Sequence, residues 1–347
     1  MLVDSPPEER SEHASAPPTR RTARALGLLV AVAILLLVAL ASIAIGAKEL
    51  SLEQVWHGLF HDAGTYGDVV VDQRLSRTVL GLLVGAALGL SGAVLQALTR
   101  NPLADPGLLG INAGASAAVV TAMTFFGVTS LNGYVWFAFA GAAAVGALVW
   151  FLGGSRGATP VRLALAGTAI SAALYGYLQA VMITDDAALG KMRFWTVGSL
   201  ASATDSTIVQ VLPFLASGTI LALLLARPLN AVAMGDDTAR ALGANLNRTR
   251  ALAMLAATVL CGAATAACGP IVFVGLMVPH AVRSFTGPDL RWILPYATVL
   301  SPVLLLGADV LGRVVARPSE LQVGIVTAII GGPVFIFLVR RRRTAQL

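Results

Sequence analysis

Few side chains in this sequence sit at spacings that could do chemistry. His57 and His61 are four apart, and with Glu53 they can share one helix face. Two imidazoles and a carboxylate so placed would suit a divalent cation. Their stretch, residues 50–62, is amphipathic and also reads as a helix resting on a membrane surface with its polar groups in water. Gly153-Gly154-Ser155-Arg156-Gly157 matches GxSxG. That elbow needs a strand before the serine and a helix after it. A long apolar run precedes this one, so it reads as a loop. Asp185-Asp186 and Asp236-Asp237 lack the further aspartate of a DDxxD diphosphate site. The two lysines, Lys48 and Lys191, are followed by Glu and Met, so there is no Walker A lysine, and HExxH is absent. His280, after Pro279, reads as a capping or hydrogen-bonding histidine. Cys261 and Cys268 are seven apart in one apolar run and form neither CxxC nor a disulfide framework. The expectation is a chain with no catalytic residue, no metal site and no bound cofactor.

The elements that carry these residues are apolar. Of 347 residues, 56% are hydrophobic and 12% charged, with mean hydropathy +0.79. A soluble domain carries about 25% charge, so a soluble enzyme and a disordered chain are both excluded. Net charge is +6, but the arginines fall between apolar runs rather than on one soluble face, which argues against nucleic acid as a partner. A bilayer-crossing helix needs about 20 apolar residues. Uncharged runs cover 25–47, 78–99, 163–184, 206–226, 292–308 and 321–339. Two more, 106–155 and 251–282, are too long for one helix. They divide at residues 127–133 and at Cys268-Gly269-Pro270. The sum is ten helices. Their runs are continuous rather than alternating, and lipid requires internally bonded backbone, so the fold class is all-α: a polytopic membrane protein.

Placing the N-terminus inside leaves Lys48, Arg74, Arg77, Lys191, Arg193, Arg313 and Arg317 outside and the other 17 of 24 basic residues inside. The charge rule favours that orientation, with both termini cytoplasmic. Residues 1–24, rich in Pro, Ser, Glu and Arg, read as a disordered cytoplasmic tail. Residues 25–343 read as a single membrane domain, and 25–47 as an uncleaved first helix rather than a signal peptide.

Three segments stand out within that domain. Gly81, Gly85, Gly89 and Gly92 recur on one helix and predict close helix packing. In the turn Arg100-Asn101-Pro102-Leu103-Ala104-Asp105-Pro106, Asp105 suits a cap and Pro106 a first helical turn. The longest inner connection, 228–250, contains Gly235-Asp236-Asp237-Thr238-Ala239-Arg240-Ala241-Leu242-Gly243. Asp236 suits an N-cap and Gly243 a C′ position, with a short helix between them that shows apolar Ala239 and Leu242 on one side. Such a helix reads either as a solvated loop or as a docking element for a cytoplasmic partner.

These segments together resemble the FecCD family of ABC importer permeases for ferric siderophores, haem and vitamin B12. The resemblance runs through Arg74-Leu75-Ser76-Arg77, LTRNPLADPGLLG at 98–110, GDDTARALG at 235–243, GPIVFVGLMVPH from Gly269, Ala308-Asp309, and PSELQVGIVTAIIGGP at 318–333. It covers nearly everything after the tail. It implies a type II ABC importer permease fold in the cell (inner) membrane. It also implies a second permease subunit, identical or not, two cytoplasmic ATPase subunits that bring ATP and Mg, and an extracytoplasmic substrate-binding protein. Gly235, Asp236, Asp237, Ala239, Arg240, Leu242 and Gly243 then resemble the coupling helix that enters the ATPase cleft. Asn101 and Leu103 resemble one part of the cytoplasmic gate, and Pro160-Val161 stand where its other element lies. Arg74, Arg77 and Arg313 match arginines that contact glutamates of the binding protein in the vitamin B12 importer. A ferric siderophore is the expected cargo, as the family's commonest. The alternative is an ion- or proton-coupled secondary transporter, which needs ionisable groups at mid-membrane. Asp309 is the nearest, and it falls toward the outer end of its helix.

Overall fold

Each predicted apolar run is mostly helical over its described residues. The structure, a computed structural model of the chain, describes residues 20–60, 64–128, 130–154 and 160–343. Among these are fourteen α-helices and one 3-10 turn. They are α1 Arg20–Ala44, α2 Leu52–Phe60, α3 Tyr66–Thr99, the 3-10 turn Pro106–Leu109, α4 Ile111–Phe125, α5 Leu131–Gly154, α6 Pro160–Thr184, α7 Asp186–Trp195, α8 Asp205–Leu224, α9 Ala226–Ala233, α10 Asp236–Ala241, α11 Leu246–Cys268, α12 Val274–Thr286, α13 Leu290–Val315 and α14 Val323–Arg343. The ten predicted segments correspond to α1, α3, α4, α5, α6, α8, α11, α12, α13 and α14. Seven helices are long and apolar enough to cross a bilayer by length and composition. The thirteen residues of α12 rise only about 20 Å, short of a full crossing.

The breaks have local causes. Gly269 closes α11 at φ 75, its N–H donating to the Thr265 carbonyl at 2.8 Å, and Pro270 cannot continue the ladder. Thr65 and Asp68 form a capping box that starts α3. Asp68 also takes His57, at 3.3 Å from Nδ1, so α2 is tied to α3 through that histidine. His61 lies outside the described residues, as do Ser155, Arg156 and Gly157 of the GxSxG match and residues 1–19 of the tail. Residues 20–24 are helical and belong to α1.

α3 is the central element, buried along most of its length. Its glycine stripe lies against α12 and α13. A Cβ on Gly85 would sit 2.6 Å from the Pro302 Cα, and one on Gly92 would overlap the Gly275 carbonyl. Backbone meets backbone at both sites, so neither can yield. Gly92→Val is therefore expected to prevent α3 and α12 from packing. Size-exclusion of the detergent-solubilised chain should show loss of the monodisperse peak; a wild-type peak and melting temperature would show that the α3–α12 approach is not required. The outermost layer is apolar and sparsely packed: Leu29, Leu36, Leu37 and Leu40 on α1, Leu165 and Ile183 on α6, and Val209 and Leu224 on α8 are all exposed.

Candidate functional site

Three residue groups occupy the two ends of the bundle. The end that bears α10 is the one the charge rule places inside, and is called the inner end here.

At the inner end, Gly235 with φ 112 is the N-cap of α10, and Asp236 is its first residue. The expectation of Asp236 as N-cap is thus off by one, because the sharp entry into the helix needs the φ that glycine supplies. Gly243, at φ 78, follows the C-cap Leu242 as expected. The two apolar residues part company. Ala239 is 0% exposed and packs with Val232 and Leu246 of the neighbouring helices, whereas Leu242 is 63% exposed. They do not form one outward face, since Leu242 lies beyond the last helical residue. Asp237 and Arg240 pair with each other on the exposed side at 3.2 Å.

Asp236 faces the bundle. Its two oxygens accept from Arg250 Nη2 at 2.8 and 2.9 Å, and Arg100 Nη2 approaches Oδ1 to 3.3 Å. Arg100 closes α3 in the left-handed conformation, φ 50, which costs a non-glycine residue about 1 kcal/mol. The gate turn follows at once. Asn101 Oδ1 accepts from Leu103 N at 3.0 Å, and Asp105 Oδ1 accepts from Gly107 N at 2.8 Å, capping the 3-10 turn that begins at Pro106. Asn101 and Asp105 line a cavity of about 300 Å³ whose opposite wall is α6, with Val161, Leu165 and Thr168. Asn101 and Val161, far apart in sequence, are therefore brought to one cavity. Leu103 is half-buried beside it, and Pro160 opens α6.

At the other end the three arginines are buried. Arg74 is 6%, Arg77 8% and Arg313 1% exposed. Arg77 forks onto Asp309, with its closest approach 2.7 Å, and gives Nη1 to Glu320 at 2.6 Å. Arg313 pairs with the other Asp309 oxygen at 3.1 Å and donates to the Ser42 carbonyl and hydroxyl at 2.9 Å. Arg74 donates to the carbonyls of Ile43, Ala44 and Lys48 at 2.6–3.1 Å. These are wall residues, not freely projecting rim charges. Arg74, Arg77, Arg313, Lys48, Gln73 and Glu320 line a cavity of about 370 Å³. Arg77 and Arg313 pair with carboxylates, Asp309 and Glu320, whereas the hydrogen bonds of Arg74 go to backbone carbonyls, with Glu320 on the same cavity wall.

The sequence reading missed the partners. Arg100 and Arg250 lie 136 and 14 residues from Asp236, and nothing in local spacing joins them. Asp309 and Arg313 did leave a signal: two opposite charges four apart in an apolar helix are an internal pair by default.

Comparison with known proteins agrees with this arrangement. The FecCD transport family matches residues 34–341. The chain belongs to that family. This FecCD permease is 48% identical over 315 residues to the ferric enterobactin transport system permease protein FepD of Escherichia coli (strain K12), covering 89% of the chain and 93% of the relative. It is 38% identical over 328 residues to the Fe(3+)-citrate import system permease protein YfmD of Bacillus subtilis (strain 168), 94% and 98% covered. It is 39% identical over 316 residues to the hemin transport system permease protein HmuU of Yersinia pestis, 89% and 94% covered. A solved metal-chelate type ABC transporter in an inward-facing conformation superposes with TM-score 0.81 at 28% identity, over 91% of the FecCD permease and 99% of that chain. The fold class is thus an importer permease fold, and the chain is a membrane transport subunit.

Proposed function

We propose that the chain is the membrane permease of an ATP-driven importer that carries a ferric siderophore by alternating access. The observation that carries this reading is at the inner end: a short helix with an exposed Leu242 abuts the turn that borders a cavity between α3 and α6. Two cytoplasmic ATPase subunits would seat α10 through Leu242 and supply ATP and Mg. A second permease subunit would cover the exposed apolar face of α6. The names of the relatives, which include carriers of ferric enterobactin, citrate and hemin, support an iron chelate as cargo. The chain would lie in the cell (inner) membrane with both termini cytoplasmic.

At the outer end, a carboxylate of a substrate-binding protein would enter the cavity beside Arg74, whose guanidinium hydrogen-bonds to backbone carbonyls rather than to a carboxylate. Arg77 and Arg313 would act there as fixed walls. Capture of the binding protein should weaken as salt rises, because partly exposed charges are screened. A capture rate independent of salt would remove the arginines from docking.

Orientation gives the direct test of this reading. In a background lacking Cys261 and Cys268, Arg240→Cys should react with an impermeant thiol reagent only after the cells are permeabilised, and Lys191→Cys in intact cells. Labelling at position 240 from outside would place α10 on the wrong side for any ATPase.

A further inference from the structure

We propose that Asp236 and Arg100 form the joint through which movement of α10 reaches the gate turn. The inference rests on the function proposed above, in which α10 is the element an ATPase moves. Asp236 is the first residue of α10, and its carboxylate touches two other elements: Arg250 in the first turns of α11, whose Nη2 is shared between both oxygens, and Arg100, the residue between α3 and Asn101. Arg100 is held left-handed at φ 50, which turns the chain sharply at the end of α3 and brings the guanidinium over Gly235, with Nη1 4.0 Å from where a Cβ there would lie. The next residue, Asn101, builds the turn through its bond to Leu103 N and lines the cavity opposite Val161. A displacement of α10 therefore pulls on a group one peptide away from the gate.

The chemistry suits a joint rather than a scaffold. Arg100 and Asp236 are each about one-third exposed, and ion pairs of that kind add little to stability. Loss of the Arg100 contact is therefore expected to cost the fold little, which leaves the pair free to serve motion. Arg250, almost fully buried, anchors one carboxylate edge, and the Arg100 contact is the longer of the two. Coupling between sites is demonstrated only when a two-state element is shown to follow both, so the gate must be read directly.

The test uses the reconstituted complex of this chain with its two ATPase subunits. Spin labels on Leu103→Cys and Val161→Cys, in the background without Cys261 and Cys268, report the width of the gate cavity with and without ATP and vanadate. The parent should show an ATP-dependent shift. Arg100→Ala should keep the ATPases bound and hydrolysing within about two-fold of the parent, and should lose most of the shift. Arg100→Lys, which preserves the charge, should restore at least half of it. Asp236→Asn, which preserves size and removes the charge, should lose the shift as Arg100→Ala does, and stands in for it if the alanine variant does not fold. An undiminished shift in Arg100→Ala or Asp236→Asn overturns the joint while leaving the proposed function intact. A parent with no ATP-dependent shift, or with no ATPase bound, overturns the proposed function and the joint with it.

Discussion

Arg313→Glu is expected to abolish recovery of the folded chain. Arg313 is buried on α13, paired with the fully buried Asp309 and bonded to Ser42 of α1. Glutamate there would set a second carboxylate beside Asp309, with Arg77 left to face both and Ser42 facing an acceptor. Breaking a buried pair by removing one partner costs about 3–5 kcal/mol, against a total stability of about 5–15 kcal/mol for a typical domain. Reversal of the charge adds repulsion to that loss. Size-exclusion and thermal melting of the detergent-solubilised chain should show aggregation or a large drop in melting temperature. Asp309→Leu combined with Arg313→Met removes both charges and should behave better than Arg313→Glu, with Arg77 retained by Glu320. A monodisperse Arg313→Glu with an unshifted melt would mean that the pair is solvated and the arginine is a free docking group after all.

Leu242→Asp is expected to release the ATPase subunits without disturbing the fold. Leu242 is mostly exposed, so in the isolated chain the aspartate stays in water. On docking it would carry an unpaired carboxylate into a closed interface, at a cost of several kcal/mol. Each 1.4 kcal/mol is tenfold in affinity, so co-purification should fall by about 100-fold or more while the melting temperature stays at the wild-type value. Ala239→Asp should behave differently. That side chain is enclosed by Val232 and Leu246, so the charge would break the packing of the connection itself and lower stability before any partner is met. Equal recovery of ATPase by Leu242→Asp and wild type would remove α10 from the docking interface.

The contrast between these two residues marks how far the sequence could be read. The bilayer makes helices almost compulsory, so ten segments and both internal breaks were legible from charge spacing, glycine and proline alone. The glycine stripe on α3 was legible for the same reason: small residues at helical spacing can only mean close approach, and Gly85 and Gly92 meet the backbone of α13 and α12. Side-chain facing was not legible where an element is shorter than two turns. Ala239 and Leu242 are three apart, which puts both on one face of a continuous helix, but α10 ends at Ala241 and the face ends with it. Long-range charge pairing was also hidden. Arg77 meets Asp309 across 232 residues and Glu320 across 243, pairings that no local spacing announces. The short helices α7 and α9 are not legible because Asp186, Lys191, Arg193 and Arg227 interrupt the apolar runs there.

In the proposed function, ATP hydrolysis on partner subunits, relayed through α10, drives inward transport through this chain. Uptake of radiolabelled ferric enterobactin, ferric citrate and ferric hydroxamate should be measured in proteoliposomes that contain the chain, its ATPases and its binding protein. At least one ferric chelate should accumulate only with ATP on the ATPase side, be blocked by vanadate, and be unaffected by a protonophore. Accumulation without ATP that collapses when the proton gradient is dissipated would contradict the account and make the chain a secondary transporter.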